Sequence, residues 1–209
     1  MNKLFLNSVA LWAVFLVFLS FPAKAHEHPQ ERVFKDLRAQ AKPLDDLSSF
    51  LRMYIGDCQA GAEAAGCRQQ SAVFRQDANQ RSYVFFAFDE AIALDVRAAA
   101  EGQFRIGWLP FFSAFGYALS AHPPKQWNKA GLPIYSYMYL RGHLPPETSL
   151  EELLRWHKVG RLAAEVVFMP KGTWKATSSK TSLEGLKATW KAIRIFDSRS
   201  GETVGIWLN

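Results

Sequence analysis

From Arg81 to the C-terminus the chain is written as strands separated by turns, without the regular alternation of strand and helix that a doubly wound parallel sheet requires. Arg81–Phe88 carries Tyr83, Val84, Phe85 and Phe86, the aromatic and β-branched texture of a largely buried strand. Further strands are expected at Gln103–Pro110, Pro133–Leu144, Leu162–Met169, Leu186–Phe196 and Thr203–Leu208. Pro170, Lys171 and Gly172 should end the strand that begins at Leu162. The turn residues of Asp197–Glu202 should close a hairpin between the last two strands.

Helical spacing precedes this region and interrupts it once. Val33, Phe34 and Leu37 share one face of a first helix, and Pro43 interrupts it. Leu44, Leu47, Phe50, Leu51 and Tyr54 make a stripe on a second helix, which Gly56 should stop. A mid-chain helix is expected over Ser149–His157, capped by Thr148 or Ser149, with Glu151 and Glu152 at the positive end of its dipole. The fold class is therefore α+β. Two N-terminal helices (residues 30–56) pack on a mostly antiparallel, strongly twisted sheet or partly open barrel of about six strands (residues 81–209).

The first 25 residues belong to a different kind of segment. Lys3 precedes an unbroken apolar run, Val9–Leu19, then Pro22 and the small residues Ala23 and Ala25 around Lys24. That is the layout of a cleavable signal peptide, leaving residues 26–209 as one exported domain, periplasmic or extracellular. Leu4–Phe21 is nearly long enough to span a membrane, but the Pro22 break and the small-residue site favour cleavage. The later apolar stretch Phe104–Ala121 contains Arg105, Pro110 and Gly116, which disfavour insertion, so no transmembrane segment is expected after cleavage. The two cysteines, Cys58 and Cys67, suit one disulfide closing a small loop in an oxidising compartment.

Apolar residues form 49% of the chain, which excludes disorder. Cleavage removes Lys3 and Lys24, leaving 23 basic against 19 acidic residues and a net charge of +4. The charge is uneven: residues 26–101 hold 9 basic and 12 acidic side chains, net −3, and residues 102–209 hold 14 and 7, net +7. A basic C-terminal half favours anionic partners. Nucleic acid is not expected, because no recognition motif accompanies the charge.

Three groups of residues are candidates for a site. Along Pro133–Leu144, period-two alternation puts Tyr135, Tyr137, Tyr139, Arg141 and His143 on one face. Such a row is either a platform for sugar rings or an extended peptide, or a ladder of cross-strand pairs stabilising the sheet. From Lys171 to Arg194, basic residues flank Trp174 and Trp190. Lys187 and Lys191 fall opposite Trp190, a pattern of buried tryptophan beneath solvated lysines.

The third group is the new N-terminus, His26-Glu27-His28. A free amine with histidine third in line offers Cu(II) or Ni(II) four nitrogens in a square plane through His28. An N-terminal histidine can also chelate copper through its own amine and ring. On that residue the chain resembles the histidine brace of copper-dependent polysaccharide monooxygenases and of small periplasmic copper carriers. The resemblance implies copper on His26 and a second histidine among His122, His143 and His157. It stops there, since a charged helix follows in place of a strand.

No Gly-x-Ser-x-Gly, His-Glu-x-x-His, phosphate-binding loop or dinucleotide fingerprint is present. Asp89, Glu90 and Asp95 cluster near a strand end, as surface charges commonly do. The expectation is thus an exported, non-enzymatic binding module without a cofactor, whose partner is an envelope protein, a cell-wall polymer or a small ligand. A copper-binding protein built on His26 is the first alternative, and a hydrolase of unfamiliar residue order the second.

Overall fold

The computed structural model describes residues 30–58, 64–88, 95–98, 103–108, 111–113, 116–131, 133–134, 138–143 and 148–209. Helix α1 (Glu31–Gln40) leads through the short strand β1 (Lys42–Pro43) to α2 (Leu47–Ile55). Asp46 caps α2 by accepting from the Ser48 N–H at 2.8 Å. Gly56, at φ +81°, closes it with an N–H bond to the Arg52 carbonyl, in a left-handed conformation open to glycine. The α2 stripe buries Phe50, Leu51 and Tyr54.

A helix follows where the sequence signalled only a disulfide loop: α3 (Ala64–Ala78). Its residues form no apolar stripe, and of those described only Ser71 and Ala78 are buried. Periodicity therefore could not announce it. The Cys58–Cys67 disulfide, with Cα atoms 5.8 Å apart, ties the exit of α2 to the start of α3.

The strands are β2 (Tyr83–Phe88), β3 (Asp95–Ala98), β4 (Gln103–Trp108), β5 (Phe111–Phe112), β6 (Ala118–Ser120), β7 (Gln126–Trp127), β8 (Pro133–Ile134) and β9 (Met138–His143). After α4 (Leu150–Lys158) come β10 (Leu162–Thr177), β11 (Ser182–Asp197) and β12 (Thr203–Leu208). Seven of them form a mixed sheet in the order β1-β2-β10-β11-β6-β5, with β12 also paired to β11. The β1–β2 and β6–β11 pairings are parallel and the others antiparallel. Among the described residues this sheet is not closed. Two smaller sheets, β3-β4-β9 and β7-β8, accompany it, and β9 lies alongside β12. The class is α+β, with four helices among the described residues.

Both long strands outrun expectation, β11 beginning at Ser182 and not Leu186. The strand from Leu162 runs through Pro170 to Thr177. Pro170 sits past the end of the β2 ladder, which covers Ala163–Phe168, and at an irregularity of the β11 ladder, where a residue without an N–H is tolerated. Within the strand expected over Pro133–Leu144, the described residues are β8, which pairs with β7, and β9, which pairs with β4. Alternation is local, whereas the choice of partner strand is not.

Alternation along the main sheet sends side chains to two cores. One face gathers Tyr83, Phe85, Val166, Phe168, Trp190, Ile193 and Ile195 with Phe50, Leu51 and Tyr54 of α2 and Leu153 and Trp156 of α4. Phe168 meets Phe50, Tyr83, Phe85 and Trp190 at ring-centroid distances of 5.8–6.3 Å. The other face holds Val84, Val167, Ala192 and Ile206 against Phe34 of α1.

Gly185 lies opposite Trp174 across the β10–β11 ladder, and a Cβ there would stand 2.3 Å from the indole Cζ2 and 2.5 Å from the Ala118 carbonyl oxygen. Gly185→Ala should therefore destabilise the fold by about 1–3 kcal/mol, read as a lower urea midpoint with an altered tryptophan signal. Replacing Cys58 and Cys67 together by serine should remove about 2.5–3 kcal/mol, the loop-closure entropy of a ten-residue ring. An unchanged urea midpoint in that double variant would show the disulfide to be dispensable.

Candidate binding face

The β3-β4-β9 sheet is two-faced by register. Val96, Ile106 and Leu140 stand level across its three strands, as do Ala98, Phe104 and Gly142, and Trp108 pairs with Met138. These rows make one face apolar. The alternate rows make the other face polar: Asp95–Gly107–Tyr139, Arg97–Arg105–Arg141, and Gln103–His143.

Of the row expected to bind a ligand, Tyr139, Arg141 and His143 thus occupy successive polar positions of β9. Tyr135 and Tyr137 lie outside the described residues, as do His26, His28, Asp89 and Glu90. The structure adds partners that the sequence did not group with this row. Arg97 and Arg105 are far from Arg141 along the chain, and no local period links them. Pairing alone brings them level.

Elsewhere the charged residues bind one another. Glu165, buried in β10, accepts from Arg38 of α1 at 2.5 Å and from Arg194 of β11 at 3.0 Å. Arg194 also reaches Glu31 at 3.4 Å and donates to Thr203, which in turn donates to Glu31. Phe196 and Phe86 lie beneath the Arg194 and Arg38 guanidiniums, at 4.7 and 6.0 Å. This network clamps α1 to the sheet. In the basic tryptophan-bearing region, Trp174 and Trp190 are buried, Lys187 is exposed and Lys175 is paired with Glu184.

Other features are structural. Burial pushes the Tyr54 and Tyr83 phenols above their ordinary pKa, and Tyr54 donates to Asn79. An open groove between α2 and α3 is lined by Met53, Val73, Phe74, Gln69, Gln70 and Asp77. His157 ends α4, half-buried, and His122 is exposed after β6. Among the described residues, no group of three or more His, Cys, Asp or Glu is placed to hold a metal ion. Nor, among them, is any helix long and apolar enough to cross a membrane.

Over residues 1–209 the chain matches the model of a family of unknown function (DUF6066). No curated protein and no solved structure matches it.

Asp197 supplies the clearest titration signature. It is fully buried and accepts a two-pronged bond from Arg161 at 2.6 and 2.5 Å, with further bonds from Ser200 and the Arg199 N–H. The Arg161 guanidinium, helped by Ser200 and Arg199, holds its carboxyl well below the usual range against the opposing effect of burial. A depressed folded-state pKa stabilises the fold fully above the unfolded value of about 3.9. That contribution is lost as the pH falls from there toward the folded value. Between about pH 5 and pH 2, urea midpoints should fall more steeply for the native chain than for Asp197→Asn. Parallel slopes would remove Asp197 as the source.

Proposed function

The chain belongs to this family of unknown function, and we propose that it is an exported binding protein of the bacterial envelope whose β3-β4-β9 sheet carries the ligand on its polar face. The reading rests on one observation. The register sets Tyr139, Arg141 and His143 beside Gly107, Arg105 and Gln103, opposite a face that is apolar in each paired row. A sheet face of this kind gives parallel rows of contacts for an extended ligand. Catalysis asks instead for groups that converge on one reacting atom. Export is supported by the leader, with Lys3, the Val9–Leu19 run and the Ala23–Ala25 site, and by the Cys58–Cys67 disulfide.

The experiment has two parts. The full chain is expressed in a bacterium, recovered from the envelope fraction without chelators, and weighed intact under native conditions. The expected mass begins at His26 and is two hydrogens light. A mass retaining Met1 would remove export by cleavage. One copper per chain, lost in His26→Ala, would move the site to the N-terminal His26 and His28. Retention on isolated cell-wall material is then compared for the native chain, Tyr139→Ala and Arg141→Ala. Each substitution should reduce retention severalfold at an unchanged melting temperature, and equal retention of all three would remove this face as the site.

A further inference from the structure

The β2 ladder on β10 ends at Phe168, yet β10 runs on to Thr177. Among the described residues, no strand pairs with its outer side beyond that point. The hairpin turn fixes which backbone groups face outward there. Ser178 donates its N–H to the Thr181 carbonyl, and hydrogen-bonded pairs alternate from such a pair along an antiparallel ribbon. Trp174 and Ala176 therefore bond to β11, while Thr173, Lys175 and Thr177 turn their N–H and C=O groups away from it. All three are exposed, and the register is unbroken from Gly172 to Thr177. Native edges are commonly blunted by a proline or a bulge. Here both stand at the base of the ribbon, around Pro170, and leave these residues regular. The ribbon is also held from its other side. β6 pairs with Gly185–Lys187, and at the tip Thr181 and Lys180 donate to the Gly131 and Lys129 carbonyls at 2.7 and 3.2 Å. An edge fixed in advance spares a partner the cost of ordering it.

We infer that the edge from Thr173 to Thr177 receives an extended acidic segment of a partner protein as an added strand. Main-chain bonds along the edge supply affinity, and the side chains opposite Lys175 supply selectivity. Residues 171–187 hold four lysines, Lys171, Lys175, Lys180 and Lys187, against one acid, Glu184, a net charge of +3. All four lysines are exposed. Lysine on an edge opposes an apolar strand, which would cover its charge, and a second copy of the same edge, which would repeat it. An acidic strand meets the same lysines with opposite charge. Lys175 holds Glu184 at 2.5 Å but keeps 65% of its side chain exposed, so ammonium donors remain for an incoming carboxylate. This edge serves a protein strand whatever the β3-β4-β9 face carries.

The test uses the full chain and three labelled peptides of about eight residues. One alternates glutamate with threonine, one alternates lysine with threonine, and the third is the glutamate peptide methylated at every backbone nitrogen. Fluorescence anisotropy should show the glutamate peptide bound, with the other two about tenfold weaker or more. Amide exchange at Thr173, Lys175 and Thr177 should be fast without peptide and slowed about tenfold or more by the glutamate peptide. Trp174 and Ala176 should be protected in both states. Lys175→Glu should weaken the glutamate peptide about fivefold or more and strengthen the lysine peptide, with Lys175→Gln between. Equal binding of the methylated peptide would reduce the interaction to charge without a strand, and equal binding of the lysine peptide would remove the acidic partner. Either result overturns the inference, as does no binding of any peptide, or protection confined to amides elsewhere. A chain that sediments as a dimer, and as a monomer in Lys175→Glu, would give the edge to a second copy and overturn it as well.

Discussion

β10 and β11 pair from Leu162 opposite Asp197 to Thr177 opposite Ser182, and the rest of the main sheet hangs on this ribbon. β2 completes one side of β10, while β6 and β12 divide the free side of β11 between its two halves. A long two-stranded ribbon twists strongly, and the irregularities after Val167 and around Pro170 bend its ladder further. That geometry lets one ribbon serve two layers. Its first face receives the aromatic cluster around Phe168, and its second receives Phe34 of α1.

The second face is also where charge enters the interior. Glu165 stands near the start of β10, and the Arg38 and Arg194 guanidiniums converge on it from α1 and from the neighbouring strand. Glu31 completes the circuit at the start of α1. Hydrophobic contact alone would leave α1 free to slide along its groove, since Val84, Val167 and Ala192 offer little relief. Directional bonds from Arg38 and Glu31 pin both its rotation and its height. Asp197 does the same work at the end of β11, fastening the hairpin to Arg161 just after α4.

What could be read from sequence divides along the line between local and non-local causes. α2 and α4 were legible from local signals, the stripe through Tyr54 with its stop at Gly56 for one and the Ser149 cap with Glu151 and Glu152 for the other, although α2 begins at Leu47 because Leu44 still bonds the Val84 carbonyl beside β1. The β11–β12 hairpin was legible for the same reason. α3 was not, because it buries little and so writes no stripe. Pro170 misled because a proline normally ends a ladder, and only the place where β2 stops explains why this one does not. The candidate face was half legible. Alternation put Tyr139, Arg141 and His143 together, but their partners on β3 and β4 are fixed by register, which a single strand does not encode.

The same chain thus treats arginine in two ways. Among the described residues, each buried carboxylate is met by a guanidinium: Glu165 and Glu31 by Arg38 and Arg194, and Asp197 by Arg161. On β3-β4-β9 the residue opposite each arginine is another arginine. Complementary charge fixes the layers of the main sheet, from Glu165 on β10 to Asp197 at the end of β11.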